Sequence, residues 1–472
     1  MNPQAEALLI SLNRWLAPPG DAWSRLRQAL EEHADSAFGR AHGFHAIHSP
    51  EDFRNAIPPM DYEAHRSWID RAAAGEAGVL ACDPILGYER TSGTSSRAKW
   101  IPLTEGLQHE FTRGLASWFE GWKSRCPEVF EGRAYWAISP PGMNLETTPG
   151  SLPVGMTHDA AYFSADIGEK LSEWLVIPEL GGESEAVFEE TADALLAARD
   201  LSIISVWSPT FLLGIDAAVR RMRGDVPWRQ LWPRLALVSC WADASSAPWI
   251  SRLNERLGGI ALEAKGLLAT EGITSLPDAV DGSPRLAAEC HSHEFMDEAG
   301  DFTELCDLRI GSVYEVLLTT AGGLFRYRSG DRVRVSGIGT DGLPRLRFVG
   351  RVGIISDLVG EKLHEDQVLE ALVGCGGNGF LVADPDRPGY DLWLEETSRA
   401  ELFGHLLRRN PYFDQALSLR QLGPLRVRQL PVDWSMKLAS SLARCRGCRI
   451  GDIKPPGLLT REKPEEVTAW LA

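Results

Sequence analysis

Several features that define other protein classes are scarce in this sequence of 472 residues. Eight cysteines are too few for a scaffold held together by disulfides. No apolar run reaches the roughly 20 residues that span a bilayer, because the longest candidate, 201–215, is interrupted by Ser202, Ser205, Ser208 and Pro209. The 48 basic residues are outnumbered by 65 acidic ones, which gives a net charge of −17. The sequence therefore argues against nucleic acid or a membrane as the main partner.

The remaining composition is that of an ordinary globular protein. The chain opens on an amphipathic helical pattern, Ala7-Leu8-Leu9-Ile10, where a secreted protein would carry a signal peptide. We therefore expect a cytoplasmic location. The length predicts two or more packed units.

Two short patterns offer metal-binding side chains. Cys445 and Cys448 form a C-x-x-C pair, but no second pair or nearby histidine completes a zinc site. His291 and His293 would share one face of a strand. We predict that the two cysteines are reduced and that the two histidines lie on a solvated strand face. Metal or redox use is the alternative for the cysteines, and metal binding is the alternative for the histidines.

The order of apolar patterns predicts the architecture. The first 80 residues show helical spacing, and a strand-helix-strand unit of a buried parallel sheet follows further along. Near residue 314 the pattern changes to a β-hairpin and short strands joined by glycine-rich turns. The predicted strands lie at 134–138, 202–207, 235–239, 314–320, 324–328, 333–335 and 346–349, and the predicted helices at 62–74, at 210–223 and from about 365.

These patterns predict an α/β fold with two domains. Residues 1–355 would form a large domain with mixed sheets flanked by helices and a β-rich end. Residues 356–472 would form a small, mobile α+β domain. A glycine-containing junction between unequal domains indicates a cleft and a hinge.

The loop Thr91-Ser92-Gly93-Thr94-Ser95-Ser96-Arg97-Ala98-Lys99 is rich in hydroxyl groups and ends on a lysine. Successive backbone N–H groups in such a turn can hold phosphate oxygens, and Lys99 adds a positive charge. The loop departs from the P-loop pattern because Ala98 precedes the lysine. It resembles instead the phosphate loop of acyl-adenylate-forming enzymes.

Four later segments carry side chains that suit the binding of a nucleotide and a metal ion. Thr270 and Glu271 place a hydroxyl beside a carboxylate that could bind Mg²⁺. Asp331 follows Tyr327 in Tyr327-Arg328-Ser329-Gly330-Asp331 and could accept hydrogen bonds from ribose hydroxyls. Gly350-Arg351 comes next, and Lys362 lies at the start of the small domain.

These motifs, in this order, resemble the auxin-responsive acyl acid–amido synthetases, in their bacterial branch, within the acyl-adenylate-forming superfamily. The likeness runs over nearly the whole chain. The quoted segments are Ile57 to Tyr62 with Trp68-Ile69, Thr91 to Thr104, Leu231-Trp232-Pro233, Ser239-Cys240-Trp241, Lys265 to Gly272, Tyr314 to Asp331 and Phe348 to Leu363.

The resemblance implies a two-step ligase that uses Mg-ATP. A carboxylic acid attacks the α-phosphate, giving acyl-AMP and pyrophosphate, and an amine, typically of an amino acid, then forms the amide and releases AMP. The nucleotide-binding residues that it implies are Thr91, Ser92, Gly93, Thr94, Ser95, Lys99, Thr270, Tyr327, Asp331, Arg351 and Lys362. Glu271 would bind Mg²⁺, and Glu271, Thr270 and Lys454 would be catalytic.

Lys454 lies in Gly451-Asp452-Ile453-Lys454-Pro455-Pro456. It matches the position where enzymes of the superfamily carry a lysine that bridges the carboxylate of the acid and the α-phosphate. Lys437 is the alternative. Two departures from the family pattern, Ser96 in place of glycine and Gly457 in place of arginine, bear on the rate of the reaction and leave its type unchanged.

Other interpretations of the same motifs stay open. An acyl-CoA or carrier-protein ligase would share the adenylation step, and a non-catalytic nucleotide-binding protein is an alternative of a different class. The acid is expected to be aromatic or hydrophobic, with pocket candidates Trp118, Phe119, Trp122, Trp136 and Trp207.

Overall fold

The computed structural model describes residues 1–16, 22–91, 99–136, 146–155, 159–179, 186–447 and 450–472. Its α-helices are α1 Pro3–Leu12, α2 Ala22–His33, α3 Ala37–Ala41, α4 Pro50–Ala56, α5 Tyr62–Ala73, α6 Glu105–Arg125, α7 Ala165–Trp174, α8 Val187–Ala197, α9 Pro209–Arg223, α10 Trp228–Leu231, α11 Ala247–Leu257, α12 Glu365–Cys375, α13 Ala400–Leu407, α14 Pro411–Ser418, α15 Trp434–Arg446 and α16 Pro464–Leu471.

The strands belong to several separate sheets. They are β1 Ile85–Thr91, β2 Lys99–Thr104, β3 Arg133–Trp136, β4 Glu146–Thr147, β5 Pro153–Val154, β6 Leu201–Ser205, β7 Leu237–Cys240, β8 Ala261–Ala264, β9 Leu268–Ala269, β10 Gly272–Ile273, β11 Ser275–Pro277, β12 Pro284–Leu286, β13 Ser292–Met296, β14 Phe302–Thr303, β15 Val313–Thr319, β16 Tyr327–Ile338, β17 Pro344–Arg351, β18 Ile355–Ser356, β19 Leu363–His364, β20 Gly379–Asp384, β21 Gly389–Leu394, β22 Arg426–Gln429 and β23 Leu458–Leu459.

A four-stranded parallel sheet, in the order β3-β6-β7-β8, forms the centre of the large unit. Both of its faces are covered, so β6 is buried along its whole length. Ile203 and Leu237 pack on one face with the aromatic side chains of α6, while Ile204 and Val238 pack on the other with α8, α9 and α11. The predicted parallel strand-helix-strand unit is confirmed, with α9 beginning at Pro209.

A seven-stranded antiparallel sheet, in the order β11-β12-β17-β16-β15-β13-β14, forms the β-rich end. The sequence predicted two short strands at 324–328 and 333–335, and this division was wrong. One twelve-residue strand, β16, runs from Tyr327 to Ile338. Register shifts opposite β17 and a left-handed Gly330, with φ of 82°, let the strand bend without ending.

The C-terminal residues form a smaller α+β unit. The sheet β22-β21-β20-β23 is mixed, because β21 and β22 are parallel and β20 and β21 are antiparallel. Helices α12, α13 and α14 pack on this sheet around Leu372, Leu392 and Phe403. The predicted α/β architecture with a small α+β unit is therefore confirmed.

In the described part of the chain, no helix combines the length and the apolar character that a membrane span requires.

Candidate active site

Thr270 and Glu271 form the tip of a two-stranded ribbon. Strand β9 pairs with β10 so that Ala269 lies opposite Gly272, which leaves Thr270 and Glu271 as the turn between them. Both residues line a cleft of about 310 Å³. Glu271 is 3% exposed, and no described residue donates a hydrogen bond to its carboxylate.

Asp331 and Arg351 form an ion pair across β16 and β17, where they are register partners, and the Asp331 side chain is buried. The Arg351 Nε lies 2.7 Å from the Asp331 Oδ1, and the Ser329 hydroxyl donates to Oδ2 at 3.0 Å. Arg351 is the main influence that lowers the pKa of Asp331 against the opposing effect of burial. The Asp331 carboxylate in turn raises the pKa of Arg351. The pair is therefore charged at neutral pH.

Lys454 reaches the same cleft from the C-terminal unit. Its Nζ lies 4.8 Å from the ring centroid of Trp241 and 4.7 Å from that of Phe348. Burial and the nearby Arg351 lower its pKa to about 8, although the carboxylates of Asp331 and Glu271 act in the opposite direction. Such an ammonium between two aromatic faces is stabilised by cation–π attraction.

Lys437, the alternative to Lys454, lies elsewhere. It begins the second turn of α15, and its Nζ donates to the backbone carbonyls of Leu471 and Ala472. It is not among the residues that line the cleft.

Lys99 begins β2, directly after the hydroxyl-rich loop. Its Nζ lies 5.5 Å from the ring centroid of Tyr62, whose hydroxyl accepts a hydrogen bond from the backbone N–H of Trp100 at 2.9 Å. Burial lowers the pKa of Lys99, and the carboxylate of Glu271 partly offsets that effect. Thr91 ends β1 opposite Lys99, whereas Ser92, Gly93, Thr94 and Ser95 lie outside the described residues.

Tyr327 lies near the charged groups of the cleft, whereas Lys362 lies outside the cleft lining. Tyr327 is fully buried, and its hydroxyl has no hydrogen-bond partner among the described residues. Burial and the charge of Glu271 raise its pKa well above the usual value. Lys362 is exposed, adopts φ of 43° and lies outside the cleft lining.

The other half of the cleft is apolar and aromatic. Trp118, Trp136 and Trp207 contribute to its lining, together with Phe111, Leu115, Tyr162, Phe163, Leu268, Ile273 and Leu276. Two other pocket candidates, Phe119 and Trp122, belong to the core instead. The indole N–H of Trp118 donates to the buried carboxylate of Glu263 at 3.0 Å, which fixes the orientation of this ring.

Sequence reasoning missed Trp241 and Phe348 as partners of Lys454. A signal for Trp241 was present, because it directly follows β7, and ligands of parallel sheets bind beyond the carboxyl ends of the strands. Trp136 ends β3 and Trp207 follows β6 at the same edge. Phe348 lies within β17 and carries no comparable signal.

The His291-Ser292-His293 segment was predicted as a solvated strand face, and this prediction was wrong. His291 is 2% exposed, and its Nδ1 lies 2.9 Å from the Glu110 carboxylate. His293 hydrogen-bonds the carbonyl of Ile273. Among the described residues no group of three or more His, Cys, Asp or Glu side chains could hold a metal ion.

The residues at the ribbon tip nevertheless fit a Mg²⁺ ion brought in with a nucleotide. Glu271 offers a carboxylate without a described hydrogen-bond donor, and carboxylate oxygen is a preferred Mg²⁺ ligand. Phosphate oxygens and water usually complete such a coordination shell, so one protein carboxylate is enough.

Comparison with known proteins identifies the family. Residues 24–223 match the model of the GH3 family N-terminal domain, and residues 287–351 match that of the GH3 family central domain. Together these ranges make up more than half of the sequence. The chain belongs to the GH3 family.

Curated relatives in this family carry names of acid–amido synthetases. A probable indole-3-acetic acid-amido synthetase of Oryza sativa subsp. japonica is 25% identical over 454 residues, which covers 75% of this chain and 73% of that protein. An indole-3-acetic acid-amido synthetase of Arabidopsis thaliana is 24% identical over 424 residues, covering 74% and 70%. The predicted ligase class is thus confirmed. These relatives are plant proteins, so the bacterial branch stays a prediction.

Solved structures support the fold. The acyl acid amido synthetase AtGH3.15, solved with 2,4-DB, superposes with a TM-score of 0.79 at 18% identity, covering 99% of this chain and 95% of that one. A 2-hydroxyisobutyryl-CoA ligase in the postadenylation state superposes with a TM-score of 0.55 at 14% identity, covering 90% and 91%. The acyl-adenylate-forming fold is therefore confirmed.

Proposed function

We propose that this GH3 protein adenylates a carboxylic acid with Mg-ATP and transfers the acyl group to the amine of an amino acid. The observation that carries the proposal is the position of Lys454. A lysine from the C-terminal unit lies between Trp241 and Phe348 and interacts with the charges of Glu271 and Asp331. Cations and carboxylates from distant parts of the chain thus meet where ATP and an acid would react.

In the first half-reaction a carboxylate oxygen of the acid bonds to the α-phosphorus, and the bond to pyrophosphate breaks. Lys99 and the backbone N–H groups of 91–95 bind the β- and γ-phosphates, while Thr270 contacts the α-phosphate. Lys454 bridges the acid carboxylate and the α-phosphate, which lowers the charge repulsion between them. When bound to Glu271, Mg²⁺ supplies further charge neutralisation on the phosphates.

Asp331 binds the ribose hydroxyls. Its oxygens already accept from Arg351 and Ser329, and each retains a lone pair for a further donor. Tyr327 forms part of the wall beside the nucleotide. Lys362 stays a prediction for a different arrangement of the C-terminal unit, because it is exposed outside this cleft.

In the second half-reaction the neutral amine attacks the acyl carbon, the bond to AMP breaks, and a proton leaves the nitrogen. The names of the relatives support an amino acid as acceptor. The aromatic lining of Trp118, Trp136 and Trp207 supports an aromatic or hydrophobic acid.

Residues 1–355 and 356–472 form the two domains in this proposal, with the cleft between them. The junction carries Gly353 at φ of 104°, a conformation that glycine adopts readily, and small residues of this kind often serve as hinges. The cytoplasmic location stays a prediction from sequence.

Acid-dependent exchange of labelled pyrophosphate into ATP, measured on two lysine variants, tests the proposal. Lys454→Ala should reduce the rate of exchange roughly 10²-fold or more, as expected when a positive charge that stabilises the transition state is removed. Lys437→Ala is the matched control and should retain wild-type exchange, because among the described residues its ammonium contacts the C-terminal backbone and Asp433, away from the cleft.

Equal exchange in the Lys454 variant and wild type would overturn the assigned role. Amide products identified by mass spectrometry with added amino acids would support the proposed acceptor. A thioester formed with CoA in their place would favour the acyl-CoA ligase alternative.

A further inference from the structure

The ribbon that presents Glu271 is too small to hold its own shape. Strands β9 and β10 contain two residues each, and an isolated two-stranded hairpin is at best marginally stable in water. A carboxylate at its tip needs support from the surrounding structure to keep a fixed position.

Two histidines lie beside this ribbon, His293 within β13 and His291 directly before that strand. The Nε2 of His293 lies 3.0 Å from the carbonyl oxygen of Ile273, two residues after Glu271. His291 packs against the residue between them: a Cβ added to Gly272 would lie 3.1 Å from the His291 Nε2. Both histidines therefore contact the strand that leaves Glu271.

The orientation of His291 is itself fixed. Its Nδ1 donates to the Glu110 Oε2 at 2.9 Å, and the same oxygen accepts from the backbone N–H of Ala321 at 3.0 Å. Helix α6, which carries Glu110, also approaches the ribbon closely, because a Cβ on Gly114 would lie 2.6 Å from the Ile273 Cδ1. The support is thus built from α6, β13 with the residue before it, and the turn after β15.

The chemistry of His293 suits a purely positional task. Burial and the neighbouring His291 lower its pKa to about 3, so the ring is neutral at physiological pH. A neutral ring facing a carbonyl must carry its proton on Nε2, and it acts as a hydrogen-bond donor.

We propose that His291, His293 and Glu110 are positioning residues that hold the Thr270-Glu271 turn in the geometry needed for the metal–nucleotide complex. The inference rests on the proposed function, in which Glu271 binds Mg²⁺. It assigns no proton transfer to either histidine.

The first test measures hydrogen–deuterium exchange of the backbone amides of 268–275 in the full-length protein without ligand. In His293→Leu, these amides should exchange roughly five- to tenfold faster, because the bond to the Ile273 carbonyl is lost. In His293→Gln, whose amide nitrogen can occupy the place of Nε2, the exchange should return towards the wild-type rate. His45→Leu, at an exposed position, is the control.

A second variant approaches the contact from the ribbon. Gly272→Ala places a methyl group against the His291 ring and should also accelerate exchange of 268–275, so the proposal can be tested even if His293→Leu does not fold. Unchanged exchange in Gly272→Ala and in every folded His293 variant would overturn it.

The final measurement distinguishes a failure of this positioning role from a failure of the proposed function. In pyrophosphate exchange, the Mg²⁺ concentration for half-maximal rate should rise several-fold in His293→Leu and recover in His293→Gln, while the KM for the acid stays constant. Equal rises in both variants, or a rise only in the KM for the acid, would contradict a positioning role. A wild-type protein without exchange activity would instead refute the proposed function. The ligand-free deuterium measurement would still decide whether His291, His293 and Glu110 hold the Thr270-Glu271 turn in place.

Discussion

Lys454 is the residue whose charge state should control the first half-reaction. Its pKa is lowered to about 8, first by burial and then by Arg351, so it loses its proton within the range of an ordinary assay. The protonated form is the one that can bridge two anions. We therefore expect kcat/KM for acid-dependent pyrophosphate exchange to fall as the pH rises through about 8.

Lys454→Arg provides the matching control, because arginine stays protonated throughout this range. Its overall rate should be lower, since the planar guanidinium fits the space of an ammonium poorly, but the decline near pH 8 should disappear. A wild-type profile that is flat between about pH 7 and pH 9.5, or an unchanged decline in the arginine variant, would contradict the assignment.

Glu271 should determine the metal requirement. Glu271→Gln keeps the size of the side chain but removes the charge that Mg²⁺ needs, so exchange should fall on the order of 10²-fold and demand more Mg²⁺. A Mg²⁺ titration of exchange, with circular dichroism as a check on folding, measures this effect. Glu298→Gln, at an exposed carboxylate paired with Arg332, should behave as wild type. A normal Mg²⁺ dependence in the Glu271 variant would exclude it as the ligand.

Single residues were predictable from sequence where a local motif carries them. Glu271 lies in the turn between β9 and β10, Asp331 follows Gly330 within β16, and Arg351 ends β17, and their charges interact. Phe348 was not predictable, because its contact with Lys454 joins positions more than 100 residues apart. The burial of His291 was missed because its partner, Glu110, lies on a distant helix.

Among the elements, the N-terminus of α12 holds the segment that carries Lys454. The Glu365 Oε1 accepts hydrogen bonds from the backbone N–H groups of Gly457, at 2.9 Å, and Leu458, at 3.3 Å. Glu365→Ala should lower the free energy of unfolding by about 1 to 3 kcal/mol, because both donors lose their partner. Urea denaturation measures the loss, and pyrophosphate exchange should also slow.

Glu370→Ala on the same helix is the matched control. Its carboxylate pairs with Arg334 at an exposed site, where such a pair is worth about 0 to 1 kcal/mol. Equal destabilisation by the two substitutions would show that the hydrogen bonds of Glu365 to Gly457 and Leu458 do not anchor the segment that carries Lys454.

Elements with a strong apolar pattern were the predictable ones. The buried runs of β6 and β7 and the amphipathic α9 between them emerged directly from the sequence. The continuity of β16 did not, because Gly330 and the register shifts interrupt the alternation that marks a single strand.

At the scale of the molecule, the two units meet through paired aromatic and charged groups. Trp249 of α11 packs on Trp434 of α15 with ring centroids 5.2 Å apart, and the Trp434 indole donates to Glu395. Arg252 of α11 forms an ion pair with the same carboxylate. These contacts join α11 to the C-terminal unit that also carries Lys454, and they could not be predicted from local patterns because their partners lie far apart in the sequence.

Pyrophosphate exchange by the wild-type protein, with Mg-ATP and a panel of aromatic, indole and fatty acids, is the measurement that tests the proposed ligase activity most sharply. We expect exchange that depends on one class of acid and disappears when Mg²⁺ is removed, and we expect an amide product when an amino acid is added. A protein that binds ATP but catalyses no exchange with any acid of the panel would contradict the central claim and favour a non-catalytic nucleotide-binding protein.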